Sequence, residues 1–182
     1  MATMQTPLRI GTLILKNRFV MTPMNTNYSD ANGCMTPQME EYYVRRAKGG
    51  AGLIVLEAVA VTPDTRNHGV QPMLCDEKYV PAWSNLIERL QSYGAKVSIE
   101  LAHFGSEATL APRASASDVS RFPGVEVEVL TKARIRELQE AFVHTALNAR
   151  MAGADAVTLH GAHGYLLAEF MSPLYNHRTN EY

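Results

Sequence analysis

Short runs that are hydrophobic on both faces of a strand constrain this chain more than any other feature. The clearest is Gly-Leu-Ile-Val-Leu at residues 52–56, which follows an amphipathic, helix-like stretch after a turn of only a few residues. A strand of this kind has to be covered on both sides, as strands are in a parallel sheet flanked by helices. The sequence therefore predicts an α/β protein made of consecutive strand–helix units.

The same alternation of strand and helix runs through the whole sequence. Two apolar triplets on either side of Gly11-Thr12 predict a small β-hairpin at the start. Thr36 and Thr131 are expected to cap the first and third helices with their hydroxyl groups, and glycine follows each of the three helices. The predicted strands cover residues 19–21, 52–58, 96–101 and 156–160, with the second strand ending at Glu57-Ala58, and the second helix covers residues 81–93.

The loops differ in length according to the end of the strand that they follow. The helix-to-strand turns have two to four residues, whereas three of the strand-to-helix loops are much longer. In βα architectures the loops at the carboxyl ends of the strands carry the chemistry, and the short return turns serve stability. Pro23, Ala58, Glu100 and His160 all lie at predicted carboxyl ends, so we expect them to converge on one surface.

Repeated βα units fit either a doubly wound open sheet or an eight-fold barrel. No Gly-x-Gly-x-x-Gly follows the first strand and no phosphate-binding P-loop motif occurs, which removes the usual support for a nucleotide-binding open sheet. A TIM (β/α)8 barrel takes about 250 residues, and this chain has 182. Residues 1–182 are therefore predicted to form one truncated domain, the N-terminal half of such a barrel with about four βα units.

Composition excludes several classes of partner. With 17 basic and 18 acidic residues the formal charge is −1, which gives no electrostatic reason to expect nucleic acid or an anionic membrane. No apolar run approaches the roughly 18 residues of a membrane-spanning helix, and residues 1–18 do not resemble a signal peptide. Cys34 and Cys75 form no Cys-x-x-Cys motif, so we expect two reduced thiols and a cytoplasmic location.

The sequence after the fourth predicted strand is the strongest candidate for a catalytic site. His160-Gly-Ala-His163-Gly-Tyr165 places two imidazoles and one phenol within six residues, and such groups can polarise a carbonyl and move a proton. A metal-dependent barrel hydrolase that uses His103 as a third zinc ligand is one alternative, although a structural histidine bonded to a loop carbonyl is favoured for His103. A non-catalytic half-barrel that associates through its open sheet edges is another.

The same stretch, continued to Tyr182, resembles the signature of the Old Yellow Enzyme family of FMN-dependent ene-reductases. The resemblance covers essentially all 182 residues but only about half of a family member. It implies a TIM barrel, FMN as cofactor, NADH or NADPH as reductant, and reduction of an activated C=C bond in a small unsaturated carbonyl compound. The residues that carry it are His160-Gly-Ala-His-Gly-Tyr165, Phe170-Met-Ser-Pro173, Arg178, Leu15-Lys-Asn-Arg18, Met21-Thr-Pro-Met24 and Glu100-Leu-Ala-His103-Phe-Gly105.

The resemblance also implies which residues contact the flavin. Pro23, Met24 and Asn25 match residues that pack against the flavin ring, and Ala58 matches a small residue near it. Glu100 matches a polar residue that bonds the pyrimidine edge of the ring.

A second group of residues is implied to handle the substrate. His160 and His163 match the pair that holds the activating carbonyl, and Tyr165 matches the tyrosine that protonates the α carbon after flavin N5 delivers hydride to the β carbon. Two donors aimed at that oxygen would stabilise the charge that hydride addition builds there. Tyr28 is a further candidate to close over the substrate, with a plain surface position as the alternative.

Glu100 departs from the family pattern, in which glutamine is common. An ionised carboxylate can accept the flavin N3 proton but cannot donate to O2, so the sequence predicts a raised pKa for Glu100 or a lowered flavin potential. The phosphate sites of barrels generally come from the loops after strands seven and eight. Since four units do not include those loops, the chain alone is expected to bind FMN weakly or not at all.

Overall fold

The computed structural model describes residues 1–110 and 112–182. Its strands are β1 (Leu8–Ile10), β2 (Leu13–Leu15), β3 (Val20–Met21), β4 (Leu53–Ala60), β5 (Lys96–Ala102), β6 (Ala114–Ser115), β7 (Glu128–Val129) and β8 (Ala156–Leu159). Its α-helices are α1 (Pro37–Lys48), α2 (Val80–Ser92), α3 (Lys132–Met151) and α4 (Leu166–Met171).

The main sheet has four strands in the order β3–β4–β5–β8, and every neighbouring pair is parallel. This is the sheet predicted from the alternating units. β1 and β2 form the predicted antiparallel hairpin ahead of it. Because parallel strands point the same way, the loops that follow β3, β4, β5 and β8 all leave the sheet on the side of the strands' carboxyl ends.

The first residues of α1 and α3 follow from capping, as predicted. Thr36 caps α1 by accepting a hydrogen bond from the backbone N–H of Met39 at 3.3 Å. Thr131 caps α3 in the same way, with the N–H of Arg134 at 3.1 Å. Each cap satisfies one of the backbone donors that the first turn of a helix leaves without an internal partner.

The core lies between the sheet and the first three helices. Trp83 on α2 is buried, and its indole N–H donates to the carbonyl of Met73 at 3.1 Å, so its polar atom is satisfied. Tyr43 on α1 is fully buried against β4. Burial of one large apolar side chain contributes about 1.5–3 kcal/mol to stability, and this core contains Met39, Leu56, Leu86, Ile87, Leu90, Val97 and Ile99 among others.

The strand β4 does not end where the sequence predicted. It continues past Leu56 to Ala60, and its pairing with β5 shifts register between Leu56 and Val59. The sequence predicted an end at Glu57-Ala58, because the polar Glu57 was taken for the strand terminus, and the strand in fact runs to Ala60. A register shift of this kind bends the strand locally and re-aims its side chains. Ala58 consequently lies inside the irregular part of a strand rather than at its carboxyl end.

The long segment between β5 and α3 is more ordered than predicted. Its short strands β6 and β7 pair in parallel, and a 3-10 turn forms at Gly105–Glu107. Two-residue strands carry too little periodicity to be recognised from sequence, which explains why this segment was expected to be irregular.

The strand β8 forms one edge of the sheet and is incompletely covered. Val157 and Leu159 pair with Ile99 and Leu101 of β5, which are both fully buried. Val157 and Leu159 are 40% and 58% exposed. Their apolar surface on an edge strand is available for contact with another element. Among the described residues, no helix has the length and apolar character that crossing a membrane requires.

Gly52 gives a direct test of how closely β4 approaches the segment before β3. A methyl group at this position would lie 2.4 Å from Oδ1 of Asn17 and 2.7 Å from its backbone oxygen. We expect Gly52→Ala to lower the free energy of unfolding by about 1–3 kcal/mol, since the backbone has to shift. Urea titration measures this. Gly69→Ala is the matched control, because a methyl group there meets no atom within 4 Å; equal effects would contradict the prediction.

Candidate functional site

A cleft at the carboxyl-end edge of the sheet brings together residues from four separate loops and strands. The cleft is lined by Pro23, Met24, Asn25, Ala58, Glu100, Phe104, His160, His163 and Tyr165. Eight of these nine residues were predicted from the sequence, and Phe104 was not. The convergence expected from the long strand-to-helix loops is therefore observed.

Tyr28 is the one predicted site residue that the structure does not bring to the cleft. Its ring packs edge-on against Tyr42 of α1, with 5.8 Å between ring centroids. Its carbonyl accepts the hydroxyl of Thr36, which ties the residue to the start of α1. The side chain is half-buried against the main core. This packing is a structural role, and the expectation that Tyr28 closes over a substrate finds no support in its position.

His160 and His163 contact each other directly in the cleft. Nε2 of His160 lies 3.1 Å from Nδ1 of His163. Nδ1 of His160 accepts the backbone N–H of Ala162 at 3.3 Å, so a neutral His160 carries its proton on Nε2 and donates it to His163. Burial and the neighbouring His163 both lower the pKa of His160, which favours this neutral form. The pair then has one N–H left for a ligand, on Nε2 of His163.

The backbone after β8 explains how His163 reaches this position. His163 has φ +58 and Gly164 has φ +74, so two successive residues adopt the left-handed conformation. Histidine rarely takes this conformation, and residues that do so are concentrated at functional sites. The resulting turn brings the two imidazoles together, and α4 begins two residues later at Leu166.

Tyr165 packs between aromatic rings at the side of the cleft. Its ring centroid is 4.7 Å from that of His160 and 4.7 Å from that of Phe104. Burial raises the pKa of Tyr165; the carboxylate of Glu107 raises it further, and Arg121 lowers it. The phenol is therefore held protonated at neutral pH, as a proton donor has to be.

His103 is buried beside the cleft, but it does not line it. Its Nδ1 accepts the backbone N–H of Gly105 at 3.0 Å, and burial lowers its pKa to about 4. The sequence expected a bond to a loop carbonyl, so the partner differs while the structural role is the same. No group of three potential metal-binding side chains occurs within residues 1–110 and 112–182. His103 is therefore not assembled with His160 and His163 into a metal site.

Glu100 is the ionisable group at the base of the cleft. It is 8% exposed, and burial raises its pKa to about 7. Within the described residues no side chain or backbone group forms a hydrogen bond with its carboxyl. For a glutamate at position 100 the sequence predicted either a raised pKa or a lowered flavin potential, and the structure gives the raised pKa. At neutral pH the carboxyl is thus divided between a form that only accepts and a form that also donates hydrogen bonds.

A second buried carboxyl, Glu57, fixes the loop that follows β3. Its two oxygens accept the backbone N–H of Thr26 at 3.0 Å and the hydroxyl of Thr26 at 2.6 Å. The hydroxyl of Tyr43 donates to the same carboxyl at 3.0 Å and accepts the N–H of Glu57. Burial raises the pKa of Glu57, while these hydrogen bonds lower it. Thr26 directly follows Asn25, so Glu57 holds one end of the segment that lines the cleft.

A third buried carboxyl, Glu169 on α4, fixes the opposite side. It accepts the backbone N–H and hydroxyl of Ser106 at 2.8 and 2.6 Å, and the hydroxyl of Ser115 at 2.7 Å. Gly105 makes this approach possible, because a methyl group there would lie 2.2 Å from the Glu169 carboxylate. The helix that starts after Tyr165 is thereby tied to the loop after β5.

Sequence reasoning missed Phe104, Glu57 and Glu169 as parts of this site. Glu57 had one recognisable sign, since a charged residue inside an otherwise apolar strand has to be paired or hydrogen-bonded. Phe104 and Glu169 had none, because their partners are distant in sequence.

The cleft suits the ring system of FMN, which the resemblance implies as cofactor. Ala58 leaves room for a planar group, the unpartnered Glu100 carboxyl can accept a ring N–H, and the amide of Asn25 can donate. The residues that line the cleft include no lysine or arginine. The cleft therefore fits the ring and offers no cationic side chain for the phosphate.

Comparison with known proteins agrees with this geometry. The profile of the NADH:flavin oxidoreductase / NADH oxidase family matches residues 3–182. An NADH oxidase of Thermoanaerobacter brockii is 41% identical over 181 residues, which are 96% of this chain and 28% of that protein. An NADPH dehydrogenase of Bacillus subtilis is 38% identical over 183 residues, 97% of this chain and 53% of the relative. The chain thus spans about half the length of the latter and less of the former.

Solved structures show the same relationship. Old Yellow Enzyme from Pichia sp. AKU4542 superimposes with a TM-score of 0.92 at 28% identity, over 99% of this chain and 51% of that chain. Morphinone reductase in complex with tetrahydroNAD gives a TM-score of 0.90 at 24% identity, over 98% and 55% of the two chains. The predicted fold class is confirmed: the chain has the fold of about half of a (β/α)8 barrel.

The raised pKa of Glu100 predicts a pH-dependent loss of stability. Because the pKa in the folded protein is about 7 rather than 4.5, the stabilising effect of the protonated form is complete below the unfolded pKa and is lost as pH rises through the folded pKa. Between about pH 5 and pH 8 the free energy of unfolding should fall by on the order of 1–3 kcal/mol more in the wild type than in Glu100→Gln.

Urea titrations across this pH range measure the difference. Glu88→Gln is the matched control, because Glu88 is exposed on α2 and its replacement should leave the pH profile unchanged. Parallel profiles for the wild type and Glu100→Gln would show that the Glu100 carboxyl ionises at its ordinary pKa.

Proposed function

Because the chain belongs to the NADH:flavin oxidoreductase / NADH oxidase family, we propose that it forms the substrate side of an FMN-dependent ene-reductase. The reaction is reduction of the activated C=C bond of an α,β-unsaturated carbonyl compound, with NADH or NADPH as the reductant. The observation that carries the proposal is the meeting of His160, His163 and Tyr165 in one cleft with Glu100 and Ala58. Two imidazoles that can donate hydrogen bonds, a phenol that can donate a proton and a carboxyl group then line the same cleft.

In this reaction bound FMN supplies the hydride that reaches the β carbon of the alkene. The imidazole pair receives the carbonyl oxygen, on which negative charge develops as the hydride arrives. Nε2–H of His163 is available at once, whereas Nε2–H of His160 is already donated to His163. The second donor becomes available to the substrate only when the bond between the two rings opens. Preorganised donors at a developing oxyanion are typically the largest single catalytic contribution.

Tyr165 completes the reaction by donating its proton to the α carbon. Its hydroxyl group is kept protonated by burial, which raises its pKa. The contact of its ring with Phe104 fixes its orientation beside the imidazoles. Glu169 accepts no bond from the phenol, but its backbone N–H donates to the carbonyl of Tyr165 at 2.8 Å and anchors the residue at the start of α4.

The exposed edge of the sheet supports a further proposal about assembly. Val157 and Leu159 present apolar surface on β8, and exposed edge strands readily pair with additional strands. We propose that this edge associates with further βα units, in a C-terminal half or in another chain, and that these provide the cationic phosphate site that the cleft lacks. The two half-buried free thiols, Cys34 and Cys75, are consistent with the reducing cytoplasm as its location.

The metal-dependent hydrolase has less support than the ene-reductase. Nδ1 of His103 is occupied by the Gly105 N–H, and the residue does not line the cleft that holds the histidine pair. Bound zinc in the purified chain would nevertheless identify that alternative.

Titration with flavins tests the cofactor proposal on the chain itself. We expect FMN to bind more weakly than micromolar, because the cleft contacts the ring alone. Riboflavin, which lacks the phosphate, should bind with the same dissociation constant within error. Quenching of flavin fluorescence measures both. Micromolar or tighter binding of FMN, together with weaker binding of riboflavin, would reveal a phosphate site in this chain and contradict the prediction.

Replacing Tyr165 tests its assigned role. At saturating FMN, we expect slow reduction of cyclohexenone by NADPH or NADH, and Tyr165→Phe should lower this rate roughly 10²–10⁴-fold, as expected for loss of a general acid. Reduction of the flavin by the nicotinamide should not change. Tyr93→Phe is the control, since Tyr93 is exposed at the end of α2. An unchanged rate of alkene reduction in Tyr165→Phe would overturn the role, and no alkene reduction by the wild type at saturating FMN would overturn the function for this chain.

A further inference from the structure

A second pocket opens on the other side of Tyr165. Its volume of about 490 Å³ falls within the range of about 300–1,000 Å³ usual for small-molecule sites. It shares Tyr165 with the cleft, so one ligand could extend from one into the other. The pocket is lined by Glu107, Thr109, Arg113, Arg121, Phe122, Val125 and Tyr165.

The charged groups in this pocket are incompletely paired. Arg121 forms an ion pair of 2.6 Å with Oε2 of Glu107. The other carboxylate oxygen of Glu107 is buried without a hydrogen-bond partner, and so is Nη1 of Arg113. Two guanidinium groups and one carboxylate leave the pocket with a net charge of +1. Buried polar atoms without partners are rare in folded proteins and often mark the place of a ligand or a water molecule.

The backbone that carries Arg113 is held in place. Its carbonyl accepts the N–H of Glu128 at 2.8 Å, and Arg113 directly precedes β6, where the hydroxyl of Ser115 bonds to Glu169. On the opposite wall, the N–H of Thr109 donates to the side chain of Asn67 at 2.9 Å. The guanidinium of Arg113 therefore projects from an anchored segment, as a binding group should.

We propose that this pocket binds an anionic group, a carboxylate or a phosphate, on a molecule whose reactive part lies beside Tyr165. The group would bond to Arg113 and compete with Glu107 for Arg121, because arginine forms its strongest hydrogen bonds with such anions. Phe122 and Val125 would contact the apolar body between the anion and the reactive part. The inference rests on the proposed function and narrows its ligands to those with an acidic substituent.

The anion could belong to the alkene substrate or to the nicotinamide cofactor, and two ligand pairs distinguish these sources. The first pair is para-carboxycinnamaldehyde and its methyl ester, which differ in one negative charge. The second pair is NADPH and NADH, which differ in one phosphate. Binding of each to the flavin-free chain is measured by calorimetry, so that the result does not depend on turnover.

If the pocket binds the alkene substrate, para-carboxycinnamaldehyde should bind the wild type more tightly than its methyl ester. If it binds the nicotinamide cofactor, NADPH should bind more tightly than NADH. Arg113→Gln should weaken binding of the more anionic member of that pair roughly ten-fold, the size expected for a hydrogen bond between charged groups, and leave the less anionic member unchanged. Glu107→Gln should strengthen it, because a competing carboxylate is removed and Arg121 is released. Opposite effects of two substitutions in one pocket cannot arise from unfolding. Arg136→Gln is the control, since Arg136 is exposed on α3.

Two results would overturn the inference. The first is equal binding of both members in both pairs, and the second is a change in the same direction for Arg113→Gln and Glu107→Gln. Either would mean that water satisfies the unpaired atoms. Failure of the proposed function looks different: para-carboxycinnamaldehyde would bind with the predicted dependence on Arg113 and not be reduced at saturating FMN.

Discussion

The carboxyl of Glu57 is the constraint on which the rest of the cleft depends. It is fully buried, and a buried carboxyl group is costly unless its oxygens are satisfied. Its donors come from Thr26, one residue after the segment that lines the cleft, and from Tyr43 on α1. The Glu57 carboxyl on β4 thus connects, through hydrogen bonds, the helix α1 and the loop that follows β3. Apolar packing alone would place α1 against β4 but would leave the position of the loop undetermined.

Glu169 forms a similar set of hydrogen bonds with Ser106 and Ser115, and a third buried carboxyl group, that of Glu100, lines the cleft itself. The oxygens of Glu57 and Glu169 accept hydrogen bonds from hydroxyl and amide groups. The Glu100 carboxyl has no hydrogen-bond partner among the described residues, and burial raises its pKa to about 7. This difference in hydrogen bonding gives the three glutamates different roles. Carboxyl groups with full sets of donors fix the backbone, and the one without donors is available to a ligand and sensitive to pH.

The sequence predicted correctly those features that depend on residues close together in the chain. The caps at Thr36 and Thr131 depend on neighbours three residues away, and both are present. The parallel sheet followed from strands that are apolar on both faces. The full length of β4 could not be predicted, because only pairing with β5 reveals the register shift after Leu56. Tyr28 was misplaced because its ring packs against Tyr42, a contact that no spacing rule indicates.

The hydrogen bond between His160 and His163 has a consequence for how the site selects among molecules. In the proposed reaction, a carbonyl that takes Nε2–H of His160 would exchange one hydrogen bond for another, so this second donor would add little affinity for the resting substrate. As charge accumulates on that oxygen, the hydrogen bond to it would strengthen, while the bond given up between the two rings would not. The contribution of this donor would therefore be small for the ground state and would grow along the proposed reaction coordinate, and a difference of this kind lowers a barrier. An oxygen that never acquires charge, such as that of an alcohol, would gain no such strengthening.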